Sequence, residues 1–221
     1  AVGALSDVGV FSFYATKTIT TGEGGMVVTH NEETARRMRL MRMHGIDREV
    51  WERYRGVGRS WYYEVVEAGF KYNMPDLLAA VGRVQLNRAE EMKKKRSQIA
   101  ERYNEAFSER DYLRLPPTDE DHAWHLYIIR LELERLALGR DEFVRQLGEE
   151  GIGLSVHYVP LHLMPYWRDR LQLTPGMFPN ATKRYQEVIS LPIWPGMSDG
   201  QIERTIEAVL QIGDAAYRRT G

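Results

Sequence analysis

The sequence predicts an α/β protein: α/β organisation over residues 1–110, followed by a smaller α/β domain over 111–221. Three observations predict it. Short apolar runs rich in strand formers alternate with longer stretches of helical period. Composition shifts between Asp111 and Asp121, where Pro116-Pro117 and several acids mark a boundary. Beyond that point the alternation resumes in shorter pieces. The 221 residues, 43% apolar and 28% charged, suffice for one large or two modest globular domains.

The elements follow in order. Val8–Phe13 is apolar and reads as a buried strand. Gly24-Gly25 leads into MVVTH, a second short strand. Asn31 is placed to cap a helix, NEETARRMRLMRMH, ending near Gly45; its acids come first and its arginines later, as the helix dipole favours. From Ile46 to Tyr72 no period is visible, and the aromatics Trp51, Tyr54, Trp61 and Tyr62 predict a long ordered loop. Pro75 opens a helical region running through Phe107, with Leu77, Leu78, Val81 and Val84 as its apolar face. Within it the run MKKKR reads as a solvated face. HAWHLYIIRLEL reads as a strand, GRDEFVRQLGEEG as a helix, IGLSVHYV as a strand and Thr182–Ile189 as helix. Ser198 and Gln201 form a capping box before the last helix, IERTIEAVLQI. No internal repeat or low-complexity segment interrupts this order.

Composition excludes several classes. The 30 basic and 31 acidic residues nearly cancel, so no basic surplus points to nucleic acid. With no cysteine there is no disulfide framework, thiolate zinc site or cysteine nucleophile, and a reducing, cytoplasmic setting is expected. Charges interrupt every apolar run before membrane-spanning length, and the first residues lack the pattern of a signal peptide. No metal is expected. His122 and His125 lie in an expected strand, three apart and so on opposite faces. His157 and His162 flank VPL with no carboxylate between them. The tryptophans read as core or interface anchors.

One stretch carries candidate chemistry: FSFYATKTITTGEGGMVV, Phe11 to Val28. Lys17 follows a buried strand and precedes three glycines. Desolvation disfavours an ammonium, and a neutral amine is a nucleophile toward an aldehyde or ketone. Ser12, Thr16, Thr18, Thr20 and Thr21 offer hydroxyls to a phosphate, and glycines permit close backbone approach. On pattern alone, a surface lysine in a turn is the more ordinary reading, because a lone lysine beside a glycine-rich loop is a weak signal. A P-loop is excluded, because Lys17 precedes the glycines and no G-x-x-x-x-G-K-[ST] occurs.

The segment DVGVFSFYATKTITTGEGGMVVT resembles the lysine region of the DegT/DnrJ/EryC1/StrS family, pyridoxal-phosphate-dependent nucleotide-sugar aminotransferases of the aspartate aminotransferase fold. The resemblance continues through RRMRLMRMHGI, GFKYNMPDLLAAVGRVQL, AWHLYIIRL, VHYVPLHLMPYW and LPIWPGMSDGQIERTIEAV. It implies that Lys17 holds pyridoxal 5'-phosphate as an internal aldimine and later moves a proton, and that Ser12 bonds the cofactor phosphate. It implies a homodimer with shared active sites, in which the loop before the long helix reaches the neighbouring subunit. Many members carry Asn where this chain has Lys71 and Arg where it has Asn73; either Lys71 or Asn73 then faces the partner's cofactor phosphate. His157, Tyr158 and His162 lie in a stretch that in the family borders the sugar-nucleotide pocket, with packing of the small domain as the alternative. A family branch with histidine in place of this lysine dehydrates, so Lys17 implies transamination. The MHGI and GFKYNM pairing resembles members that aminate C4 of a keto nucleotide sugar, with glutamate as donor.

The resemblance begins at the first residues, whereas relatives have much of the large domain upstream. The expectation is therefore a C-terminal part, completed by an N-terminal half that supplies the aspartate for the pyridine nitrogen and the helix N-terminus for the phosphate. Two functions compete: the lysine-bearing part of an aminotransferase, and a catalytically silent fragment serving only folding or dimerisation.

Overall fold

The computed structural model describes residues 5–47 and 62–218. Trp51, Tyr54 and Trp61 of the expected aromatic loop lie outside the described residues. The chain divides into two compact units, residues 1–89 and 90–221. Compactness thus cuts the chain earlier than the composition shift at 110/111. The difference is one helix, whose buried face enters the second unit's core.

In the first unit, strands β1 (Gly9–Ser12) and β2 (Gly25–Val28) form an antiparallel hairpin with Gly9 opposite Val28 and Ser12 opposite Gly25. Helix α1 (Glu32–Met41) starts where expected: the Asn31 side chain accepts from the Thr34 N–H. It ends four residues before Gly45, which sits at φ +69. A Cβ there would lie 2.0 Å from the Glu67 carbonyl oxygen, so only glycine admits the approach. The two described ends of the long loop run alongside each other, with Asp47 N–H donating to Glu64 O and Val66 N–H to Gly45 O. Pro75 is the residue before helix α2 (Asp76–Asn87) rather than inside it. The expected apolar face of α2 exists as a stripe, but Leu77, Val81 and Val84 are exposed.

In the second unit, α3 (Ala89–Phe107) follows a break at Arg88. Strands β3 (Leu113–Arg114), β4 (Tyr127–Leu131) and β5 (Val188–Leu191) form an antiparallel sheet in that order. Helices α4 (Arg140–Glu149) and α7 (Asp199–Ala216) bury Phe143, Leu147, Ile206 and Val209 in the same core as Tyr103, Phe107, Tyr127 and Ile129. Each such side chain contributes about 1.5–3 kcal/mol by leaving water. The buried phenols are all satisfied: Tyr103 donates to Pro192 O, Tyr112 to Asp214 and Tyr127 to Asn104. Between β4 and β5 also lie α5 (Pro165–Leu171) and α6 (Pro179–Glu187). The capping box at Ser198 is present, with both reciprocal hydrogen bonds.

Four expectations need correction. The helix expected over 182–189 gives way to β5 at Val188, whose residues pair with β4; a run of only four residues carries no period that separates strand from helix. The strand expected at IGLSVHYV reduces to one bridge, Ser155 to Ser190. The strand expected from His122 begins only at Tyr127, so strand alternation does not govern His122 and His125. The run MKKKR is not wholly solvated: Met92 and Arg96 are buried. Arg96 donates to the carbonyls of Trp124, His125 and Ile193.

Candidate functional site

Lys17 lies in the loop joining β1 to β2, half-buried. That loop is built by its own backbone and hydroxyls. Phe13 N–H donates to Gly24 O, Thr21 N–H to Phe13 O, and Lys17 N–H to Tyr14 O at 2.9 Å. Thr20 Oγ1 donates to Phe13 O and accepts from Gly22 N–H. Thr21, 3% exposed, donates to Glu23 O at 2.6 Å. Thr20 and Thr21 therefore spend their hydroxyls within the loop. Ser12 is exposed at the end of β1; its Oγ accepts from Tyr14 N–H at 3.3 Å, which orients it and leaves its own proton to donate.

The glycines divide by role. At Gly22, φ is +79 and a Cβ would meet nothing within 4 Å. At Gly24 a Cβ would lie 2.5 Å from Thr21 Oγ1 and 2.7 Å from Met74 Cε. A Cβ at Gly82 on α2 would lie 2.9 Å from Thr21 Cγ2. So Thr21 is the plug on which the lysine loop rests against α2. Sequence reasoning missed Gly82 in this role, since nothing local distinguishes it from any helical glycine.

Lys71 and Asn73 meet. Lys71 Nζ donates to Asn73 Oδ1 and lies 3.7 Å from Met43 Sδ, and residues 43 and 71 form a bridge. His44 N–H donates to Phe70 O and Tyr72 N–H to Arg42 O. The stretches MHGI and GFKYNM, noted as a pair in the sequence, are thus laced together. Gly69 permits it: a Cβ there would sit 2.2 Å from Gly45 N. Phe70 and Tyr72 stack 4.9 Å apart and are exposed.

The histidine candidates belong to the second unit and have different surroundings. His157 Nδ1 lies 2.7 Å from Ser190 Oγ, and its ring meets Tyr158 edge-on at 4.6 Å. Tyr158 is 70% exposed. His162 is buried, stacked on Phe178 at 4.7 Å. Its Nε2 is 2.9 Å from Thr182 Oγ1, which donates its only proton to Pro175 O; His162 Nε2 is therefore the donor of that pair. His122 Nδ1 accepts from Trp124 N–H. Among the described residues, no three His, Asp or Glu side chains form a group that could hold a metal ion. Among them, too, no helix is long and apolar enough to cross a membrane. Ser190 and Thr182, which set the two histidines, were invisible in sequence because they lie 33 and 20 residues from their partners.

The lysine loop suits a phosphorylated aldehyde: one primary amine, a Ser12 hydroxyl that accepts from Tyr14 N–H and keeps its own proton to donate, and the Thr16 and Thr18 hydroxyls, which make none of the contacts above. Bound pyridoxal phosphate would supply that aldehyde and an electron sink.

Comparison with known proteins extends this reading over the chain. The profile of the DegT/DnrJ/EryC1/StrS aminotransferase family matches residues 1–210. The uncharacterized protein MJ1066 of Methanocaldococcus jannaschii is 47% identical over 213 residues, 96% of this chain and 55% of that protein. The spore coat polysaccharide biosynthesis protein SpsC of Bacillus subtilis is 43% identical over 214 residues, again 96% and 55%. The crystal structure of the aminotransferase TlmJ from Streptoalloteichus hindustanus superposes with a TM-score of 0.80 at 32% identity, covering 97% of this chain and 54% of that one. The chain spans about half the length of the relatives it matches. With a family profile matched from residue 1 to residue 210, the chain belongs to the DegT/DnrJ/EryC1/StrS aminotransferase family.

Proposed function

We propose that this chain is the lysine-bearing part of a pyridoxal-phosphate-dependent aminotransferase that moves an amino group from glutamate to a keto nucleotide sugar, at C4. The observation that carries the reading is the Lys17 loop: a half-buried lysine in a hydrogen-bonded turn, on the same hairpin as an exposed Ser12 hydroxyl with a proton to donate. Lys17 is the attachment point for the cofactor and, once released, carries a proton to and from the reacting carbon. Ser12 donates to the phosphate. Thr21 and Gly24 hold the loop that aims Lys17.

Lys71 and Asn73 act as one device. Asn73 accepts from Lys71 and so orients the ammonium toward the cofactor phosphate of the partner subunit in a homodimer with shared active sites. His157 and Tyr158 contact the nucleotide-sugar substrate. His162, buried and bonded to Thr182, is the pillar beneath that stretch. An N-terminal half of the same enzyme supplies the partner of the pyridine nitrogen, and the assembly works in the cytoplasm.

The test is chemical. The protein, with the upstream half supplied, is incubated with pyridoxal phosphate, reduced with borohydride and digested. The expected result is one labelled peptide carrying Lys17, lost in Lys17→Ala. Label elsewhere, or none, would sink the reading and leave a catalytically silent folding or dimerisation half.

A further inference from the structure

The hairpin that carries Lys17 is open on every side. β1 and β2 are the whole of their sheet, so among the described residues each strand keeps one edge unpaired. Both faces are apolar as well. Val10 pairs with Val27 on one face, and Phe11 pairs with Met26 on the other. Val10 is 75% exposed, Met26 53% and Val27 47%. Among the described residues of the first unit no apolar side chain is buried, whereas β4 and β5 of the second bury Tyr127, Ile129, Leu131, Ile189 and Leu191.

A two-stranded hairpin is marginal at best in water, and one with uncovered apolar faces has nothing to offset that. Consecutive apolar residues such as Met26, Val27 and Val28 mark a strand covered on both faces, inside a sheet that lies between two layers. The occupant must therefore supply strands at the edges and apolar layers on the faces. A small ligand supplies no strand. A second copy brings the same hairpin, and a two-fold pair joins β1 to β1 or β2 to β2, which leaves the other edges open. Nearly half the length of the curated relatives lies outside the match, since this chain spans 55% of each. That length is ample for further strands and helices.

We infer that the β1–β2 hairpin is the docking surface for the N-terminal half, which completes a larger sheet at both edges and on both faces, and that the Lys17 loop takes its geometry only on that docking. The inference rests on the proposed reading in which such a half completes the enzyme; it adds the surface covered and the order of events. The loop is tied to β1 through Phe13, whose N–H donates to Gly24 O and whose carbonyl accepts from Thr21 N–H. A hairpin that frays takes those bonds with it, so Lys17 is aimed only while the strands are held. Docking therefore precedes cofactor capture.

Hydrogen exchange is followed on the full chain alone, at two concentrations, and on the chain co-expressed with its N-terminal half. In the chain alone, the Val10, Phe11, Met26 and Val27 amides are expected to exchange within about tenfold of unstructured peptide, while those of Ile129, Leu147 and Val209 are slowed at least about a thousandfold. Co-expression is expected to slow the hairpin amides at least about a hundredfold. Val10→Asp places a charge on the surface to be covered; it is expected to weaken docking at least about tenfold and to leave exchange in the second unit unchanged. Val10→Thr, of the same shape, serves if the aspartate variant fails to fold. Hairpin amides as slow as Ile129 in the chain alone, hairpin amides unmoved by the N-terminal half, or a folded Val10 variant docking as tightly as wild type would each overturn the inference. So would protection that rises with the concentration of the chain alone, which assigns the surface to a second copy. Borohydride reduction with pyridoxal phosphate on the same samples separates the two readings. Docking without label on Lys17 keeps the completed sheet and removes the cofactor role. Equal labelling of Lys17 with and without the N-terminal half removes the dependence of the loop on docking.

Discussion

Replacing Arg96 with methionine tests the least expected feature of the fold. Arg96 is 7% exposed and holds three carbonyls from two separate stretches, at 2.9 Å (Ile193), 3.0 Å (Trp124) and 3.4 Å (His125). The two short bonds are charge-assisted, worth about 1.5–3 kcal/mol each, and the long one adds little. Methionine keeps the length of the side chain but leaves those carbonyls buried without a donor. Against this, burial lowers the pKa of Arg96, the mark of a charge held at a desolvation cost. Its Nε has no hydrogen-bond partner among the described residues. Methionine removes both penalties. The net expected loss is about 2–4 kcal/mol. Urea unfolding of the whole chain, followed by tryptophan fluorescence, measures it, because Trp124 is itself buried beside the guanidinium. Arg102→Met, on the same helix, is the control. Arg102 pairs with Asp199 and Glu203 near the surface, so its removal changes stability by at most about 1 kcal/mol. A loss at Arg96 no larger than at Arg102 would refute the reasoning.

Gly45→Ala should cost at least about 3 kcal/mol, because a Cβ at φ +69 would sit 2.0 Å from a backbone oxygen that cannot withdraw; faster hydrogen exchange at the His44 and Val66 amides is the readout. Ser198→Ala removes the acceptor of the capping box and should lower stability by about 1 kcal/mol, seen as a reduced Tm. Alkaline titration should show a defined window. Burial pushes the Tyr103 phenol up to about 12 and raises Tyr112 and Tyr127 as well. Unfolded phenols ionise near pH 10, so between about pH 10 and 12 the unfolded chain has lost protons that the folded chain keeps. Stability is therefore intact below about pH 10 and falls as pH rises beyond it. Tyr103→Phe should flatten that fall, and urea midpoints measured from pH 8 to 12 decide the matter.

Much of the fold is legible because it is local. Strand β1, the Asn31 cap, the helix at Arg140 and the Ser198 capping box each depend on residues within a few positions, and all four appear where the sequence predicts, although β1 is not the buried strand expected: Val8 and Val10 at its start are exposed. The candidate lysine is legible for the same reason, since Lys17, its flanking hydroxyls and its glycines fall within eighteen contiguous residues, Phe11 to Val28. What the sequence left undetermined involves partners far along the chain. Arg96 looks like any lysine-rich helix face until Trp124 and Ile193 arrive, 28 and 97 residues away. β5 is too short to show a period, and only pairing with β4 makes it a strand.

By itself, then, the sequence determined the α/β alternation, the helix starts and the residues able to do chemistry, because dihedral preference, capping and side-chain type act over a few residues. Only the tertiary structure decided which of those side chains are buried and what orients them. It made Thr21 the support of the lysine loop, joined Lys71 to Asn73, and gave His157 a serine and His162 a threonine. Burial and hydrogen-bond partnership are properties of assembled elements, and no stretch of chain carries them before it meets the rest.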